Sequence, residues 1–159
     1  SEHTMHREPF VVTLDFLEKL LSKTGKLVAV GTTSVRTLES LYYVGVKCIE
    51  TGVPADVDQW DPYSREYSYT LDESLSALVD YLKKNNKKDI QLGTRIIIVP
   101  GYQFKVVDVL VTNFHQPQST LLLLISAFVK GDWHKIYDFA LANDFRFLSY
   151  GDSSILFRE

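Results

Sequence analysis

The sequence predicts an α/β fold: a largely parallel sheet with flanking helices. Short apolar runs of strand length alternate with longer segments of helical spacing, the pattern of an α/β layer architecture. The clearest such run, Leu27-Val-Ala-Val30, is apolar at every position and stops at Gly31. Uniform apolarity is how a parallel strand buried on both faces reads. A length of 159 residues suffices for one core, and no repeat or low-complexity tract divides it. The expectation is therefore one α/β domain over residues 1–159.

Taken in order, the first ten residues read as a solvated, frayed terminus. Residues 13–22 read as a helix, with Leu14, Leu17 and Leu21 at helical spacing, Thr13 as N-cap and Gly25 as the stop. After the strand ending at Val30, helical spacing resumes with Val35, Leu38 and Tyr42, so residues 31–33 form a strand-to-helix turn. About 51–70 the pattern breaks down among prolines, aspartates and aromatics, which predicts an irregular excursion. Thr70-Leu-Asp-Glu73 is a capping-box pattern ahead of a helix at about 72–84, closed by Lys83-Lys-Asn-Asn-Lys-Lys88. Residues 95–99 and 105–114 read as two further strands. Residues 119–129 are apolar almost all round, so that helix should be buried. Asp132 can cap a last helix carrying Trp133, Ile136, Tyr137 and Ala140, and residues 155–157 make a terminal strand.

Composition narrows the function classes. The hydrophobic share of 45% against 23% charged residues argues against disorder. The longest apolar run, residues 121–129, is too short to span a bilayer, and no apolar signal core precedes the domain. Cys48 is alone and fits a reducing compartment, so the expected location is the cytoplasm without membrane contact. A net charge of −3 means that a nucleic-acid partner would have to meet a local basic patch. The densest is Lys83, Lys84, Lys87 and Lys88, which complement a helix dipole at least as readily as they contact phosphate. The chain opens Ser1-Glu2-His3 and has one methionine, Met5. That reads as a piece of a longer protein, or as a tag remnant at Ser1.

In open α/β sheets, ligands bind beyond the carboxyl ends of strands. Two turns there carry chemistry. In Gly31-Thr-Thr-Ser-Val-Arg36, the glycine permits a tight turn. Thr32, Thr33 and Ser34 then add hydroxyls to the free amides of a helix start, with Arg36 following. This suits a carboxylate or phosphate, and the plain alternative is an N-cap beside a surface arginine. It is not a P-loop, because no second glycine followed by lysine appears. In the turn after residue 112, Asn113 and His115 alternate with Phe114 and project together, while Ser119 or Thr120 caps the next helix. Asparagine can hold a hydroxyl or base edge, and histidine can move a proton near neutral pH. His3, His6 and Glu8 invite a metal reading, but Pro9 disfavours the helix their spacing would need, and no metal is expected.

These stretches together resemble a known family. Val28-Ala-Val-Gly-Thr-Thr-Ser-Val-Arg-Thr-Leu-Glu-Ser40, Pro100-Gly-Tyr-Gln-Phe-Lys-Val-Val-Asp108, Val111-Thr-Asn-Phe-His115, Ser119-Thr-Leu-Leu-Leu-Leu-Ile-Ser-Ala-Phe128, Arg146-Phe-Leu-Ser-Tyr-Gly-Asp152 and the N-terminal His3-x-Met-His-x-Glu8 occur in the order of the S-adenosylmethionine:tRNA ribosyltransferase-isomerases of queuosine synthesis. The resemblance covers the C-terminal part of such an enzyme and leaves out mainly residues 50–90. It implies the α/β domain of a two-domain enzyme whose N-terminal β-rich domain is not in this sequence.

The implied reaction transfers and isomerises the ribosyl group of S-adenosylmethionine onto 7-aminomethyl-7-deazaguanine at the tRNA wobble position. The product is epoxyqueuosine, and adenine and methionine leave. No cofactor is implied, since S-adenosylmethionine is a co-substrate. The implied partners are that co-substrate, the tRNA and the N-terminal remainder of the enzyme. On this resemblance His115 is the first choice for proton transfer and His6 the second. Glu8 would orient His6 or bind the substrate amine. Thr32, Thr33, Ser34 and Arg36 would hold a carboxylate or phosphate, and Ser119 would add to that binding at the next helix start. Asn113 and Asp152 would contact hydroxyls or a base. Two alternatives remain at this stage: a docking fragment inactive on its own, or another nucleotide-dependent α/β transferase.

Overall fold

The computed structural model describes residues 4–114, 119–130, 133–148 and 151–158. The chain divides into two compact units, the first made of Ser1–Gly25 with Arg36–Ile96 and the second of Lys26–Val35 with Ile97–Glu159.

In the first unit, β1 (Glu8–Thr13) pairs antiparallel with β3 (Asp89–Thr94), from Glu8 opposite Thr94 to Thr13 opposite Asp89. Phe10 and Val12 point inward while Val11 points out, the period-two pattern of a half-buried strand. The expected frayed end thus gives way to a strand from residue 8 on, because residues 10–12 are aromatic and β-branched and find a distant partner. Thr13 caps α1 (Leu14–Ser22), its hydroxyl accepting from the Phe16 amide at 3.1 Å. The buried face is Leu17 and Leu20. The helix ends at an extended Lys23, so Gly25 is not needed as its stop.

The long helix α2 (Thr32–Thr51) begins in the second unit and continues in the first. The excursion after it is irregular, as expected, apart from a short 3₁₀ turn over Asp61–Tyr63. The capping box at Thr70 and Glu73 is present and opens α3 (Leu71–Lys84). Its Leu75, Leu78 and Leu82 are buried with Leu17 and Leu41. Each such leucine contributes about 1.5–3 kcal/mol by leaving water.

In the second unit the sheet order is β2–β4–β5, with β2 (Val28–Val30), β4 (Val109–Asn113) and β5 (Ser153–Phe157). The β2/β4 pair is parallel and β4/β5 antiparallel. Among the described residues the expected largely parallel sheet therefore reduces to one parallel pair and two antiparallel ones. The α/β class holds. Nor is β2 buried on both faces: Ala29 is covered, but Val28 and Val30 are 51% and 69% exposed. They share that face with Ile155 and Phe157, exposed by 62% and 63%. Apolarity alone could not distinguish a covered strand from one with an open apolar face.

Residues 95–99 are not a strand. Ile96, Ile97 and Ile98 are buried, but the ladder ends at Thr94, whose hydroxyl accepts from the Ile96 amide at 3.0 Å. The ladder formed one segment earlier, at residues whose apolar signal Gln91 and Gly93 dilute. Ser119 caps α4 (Thr120–Phe128), which is largely buried, and α5 (Trp133–Ala142) covers Tyr137 and Ala140. Asp132, expected to cap α5, lies outside the described residues. No helix among them is long and apolar enough to cross a membrane.

Candidate functional site

The second unit brings three of the singled-out stretches to one end of its sheet. β2 and β4 run parallel, so their carboxyl ends lie side by side. There the Gly31 amide donates to the Val111 carbonyl at 2.7 Å and extends the pairing by one step. Gly31 takes φ +90°, a left-handed conformation that glycine adopts without strain, and its carbonyl accepts from Val35 to start α2. Thr32 is buried, whereas Thr33 and Ser34 are exposed on the first turn of α2. That turn carries the positive end of a twenty-residue helix and no acidic residue.

Two residues past Val111, the half-buried Asn113 ends β4. It sits opposite Ser153 of β5, whose hydroxyl donates to Asn113 Oδ1 at 2.8 Å. Phe114 follows into an aromatic cluster with Tyr137, Phe145 and Phe147. Its carbonyl accepts from the Leu148 amide at 2.8 Å, which ties the Arg146–Asp152 loop to the end of β4. Gly151 closes that loop, where a Cβ would lie 2.5 Å from the Arg146 carbonyl oxygen. The Asp152 carboxylate accepts from the Arg146 amide at 2.7 Å and from its guanidinium at 3.2 Å. The backbone and side-chain donors of Arg146 hold that carboxyl below its ordinary value, so it is a fixed negative charge. Ser119 spends its hydroxyl on the α4 cap, accepting from Leu122 at 3.2 Å.

Arg36 belongs to the first unit and has a partner the sequence did not indicate. It is 5% exposed, its Nη1 pairs with Glu8, and its Nε donates to the Ile96 carbonyl at 3.1 Å. The Glu8 side chain is 32% exposed. Among the described residues, Arg36 Nη2 and Glu8 Oε2 are buried with no hydrogen-bond partner. Ser40 continues this polar core, donating to Thr94 at 2.7 Å. The alternative of a surface arginine beside an N-cap is thereby excluded. His6 is exposed. His115 and His3 lie outside the described residues, as do Ser149 and Tyr150. Among the described residues no three histidine, cysteine or acidic side chains gather as a metal site would require. Sequence reasoning assigned no role to Tyr102–Phe104, which line a cleft in the second unit. The signal available was the Pro100-Gly101 turn inside a family signature.

A parallel strand pair whose carboxyl ends open onto a hydroxyl-bearing helix start, beside a polar loop, makes this unit an α/β domain with its polar groups gathered at the strand ends. Comparison with known proteins gives the family. The model of the queuosine biosynthesis protein family matches residues 1–156, and the chain belongs to that family. S-adenosylmethionine:tRNA ribosyltransferase-isomerases from Caulobacter vibrioides and Polynucleobacter asymbioticus are 37% and 36% identical to it, over 100% and 99% of this chain. The chain spans 34% of the length of each. The crystal structure of S-adenosylmethionine tRNA ribosyltransferase from Thermotoga maritima superposes with a TM-score of 0.59 at 30% identity, over 92% of this chain and 39% of that one.

Proposed function

We propose that the complete polypeptide carrying this chain transfers and isomerises the ribosyl group of S-adenosylmethionine onto 7-aminomethyl-7-deazaguanine at the tRNA wobble position, giving epoxyqueuosine. The observation that carries this reading is the convergence of Gly31–Ser34, Asn113 and the Asp152 loop at the carboxyl ends of β2 and β4, in a member of the queuosine biosynthesis family. Thr33 and Ser34 present hydroxyls beside free amides, an arrangement suited to a carboxylate or phosphate. Asn113 and Asp152 supply hydrogen-bonding groups for ribose hydroxyls or a base.

The reaction needs a base for the proton next to the sulfonium and an acid for departing adenine. His115, which follows Phe114, is the first candidate, and His6 the second. Glu8, a third of whose side chain reaches solvent, would orient His6 or bind the substrate amine, and Arg36 would hold a carboxylate or phosphate. A second, β-rich domain and the rest of the site come from the remainder of the polypeptide, and the location is cytoplasmic. Because the chain spans about a third of its relatives, a docking piece inactive alone is the second reading.

The test is ribosyl transfer to tRNA by the complete polypeptide and by the 159-residue chain. Replacing His115 with Ala should lower turnover of the complete polypeptide by about 10²–10⁴-fold, the range for a general acid–base group. Unchanged turnover would remove His115 from the mechanism.

A further inference from the structure

We propose that the cleft formed by the Tyr102–Phe104 segment, the end of α4 and Arg158 binds one unpaired nucleotide of an RNA strand. The inference rests on the reading that the complete polypeptide acts on tRNA, and it assigns the RNA a contact surface of its own.

The cleft lies wholly in the second unit, has a volume of about 720 Å³, and is lined by Tyr102, Gln103, Phe104, Ser126, Lys130 and Arg158 among others. That volume falls within the range of small-molecule sites. Its wall is built by a tight turn. Pro100 and Gly101 occupy the central positions, Gly101 takes φ +97°, and the Tyr102 amide donates back to the Val99 carbonyl at 3.1 Å. The turn places Tyr102 edge-on to Phe104, with centroids 4.9 Å apart, and Phe104 edge-on to Phe128 at 5.0 Å. Phe104 is held in that row, is only half-buried, and lines the cleft. Arg158 fixes the segment from the other side. Its Nη1 donates to the Phe104 carbonyl at 2.9 Å, and its Nη2 to Asp108 at 3.1 Å.

Three groups then offer recognition. Phe104 supplies a stacking surface, which every base can use. The exposed amide of Gln103 can both donate to and accept from a base edge, as single-stranded bases are read. Lys130 supplies charge, since Arg158 is already paired with Asp108 whereas Lys130 has no ion-pair partner among the described residues. Lys130 also holds φ +51°, just past the end of α4, a position that glycine fills without strain. That conformation is the usual stop of a helix, and it sets Lys130 in the lining of the cleft. Ring, amide and lone cation match base and phosphate.

The test measures binding of a labelled single-stranded RNA and of a tRNA anticodon stem-loop to the complete polypeptide by fluorescence anisotropy, between low and moderate salt. Lys130→Gly should lower the slope of log affinity against log salt by about one, as expected for one lost phosphate contact. Its melting temperature should stay level or rise, because glycine relieves the positive φ. Phe104→Leu keeps an apolar contact for Phe128 but should weaken RNA binding about tenfold, the scale of a lost stacking contact. Wild-type affinity and salt slope in both variants would overturn the proposal. Ribosyl transfer is measured on the same proteins. Transfer with an unchanged KM for tRNA in both variants sinks this cleft and spares the proposed reaction. Lys130-dependent RNA binding without transfer by the wild type does the reverse.

Discussion

Removing Glu8 should destabilise the first unit more than removing Arg36, although the two form one ion pair. Glu8→Leu strands a guanidinium that is almost wholly buried and keeps only the Ile96 carbonyl. Breaking a buried pair from one side costs about 3–5 kcal/mol. A third of the Glu8 side chain reaches solvent, so water can partly replace it, and the expected loss is about 2–3 kcal/mol. Arg36→Met instead fills the space with an apolar chain and frees a carboxylate that can turn towards water. What it forfeits is the charged hydrogen bond to Ile96 and the pair's own net gain, about 1–2 kcal/mol. The double variant should therefore be no worse than Glu8→Leu alone. Urea unfolding reads the difference. The chain has two tryptophans, so with Trp133 replaced by Phe the fluorescence of Trp60 reports the first unit. A larger loss for Arg36→Met than for Glu8→Leu would refute this account of the pair.

Gly45 sits mid-helix in α2, where propensity alone makes alanine better by about 1 kcal/mol. A Cβ there would collide with the hydroxyl and backbone of Ser74, the carbonyl carbon lying 2.6 Å away. Gly45→Ala should thus lose about 1–3 kcal/mol by overpacking, read as a lower urea midpoint. Arg7, by its side-chain hydrogen bond, and the Gly93 amide hold Asp56 below the usual carboxylate range. The stabilisation this gives is complete above that range and is lost as pH falls through the lowered value; Arg7→Gln should flatten this acid limb in melting curves. Burial pushes the Cys48 thiol up, so Cys48 should alkylate with iodoacetamide far more slowly than a free thiol at neutral pH, and at the free-thiol rate after denaturation.

Local features of the fold were the legible ones. Thr13, the Thr70–Glu73 capping box, Gly31 and Ser119 act within a few residues of themselves, and each occupies the position its chemistry predicts. Strand partnership was not legible. Glu8 meets Thr94 across most of the first unit, and nothing in Pro9-Phe-Val-Val names Asp89–Thr94 as its ladder. The same distance effect governs the candidate site. The sequence marked Thr33, Ser34, Asn113 and Asp152, but it could not show Arg36 turned onto Glu8, 28 positions earlier in the chain. Nor could it bring Arg158 to the Phe104 carbonyl, 54 positions back. Such contacts are decided by packing, which no residue pattern states.

The interleaving of the two units bears on how the chain is made and cut. β2 and the start of α2 interrupt the first unit, and the first unit in turn separates β2 from β4. During synthesis β1 waits for residues 89–94, about 80 positions downstream, and β2 waits equally long for β4. Both pairings close large loops, an entropic cost that slows folding and leaves apolar strands open in the meantime. For the same reason no single proteolytic cut releases either unit whole. Two cuts are needed to free the second unit's N-terminal strand and turn, and a third to part the rest of that unit from the first.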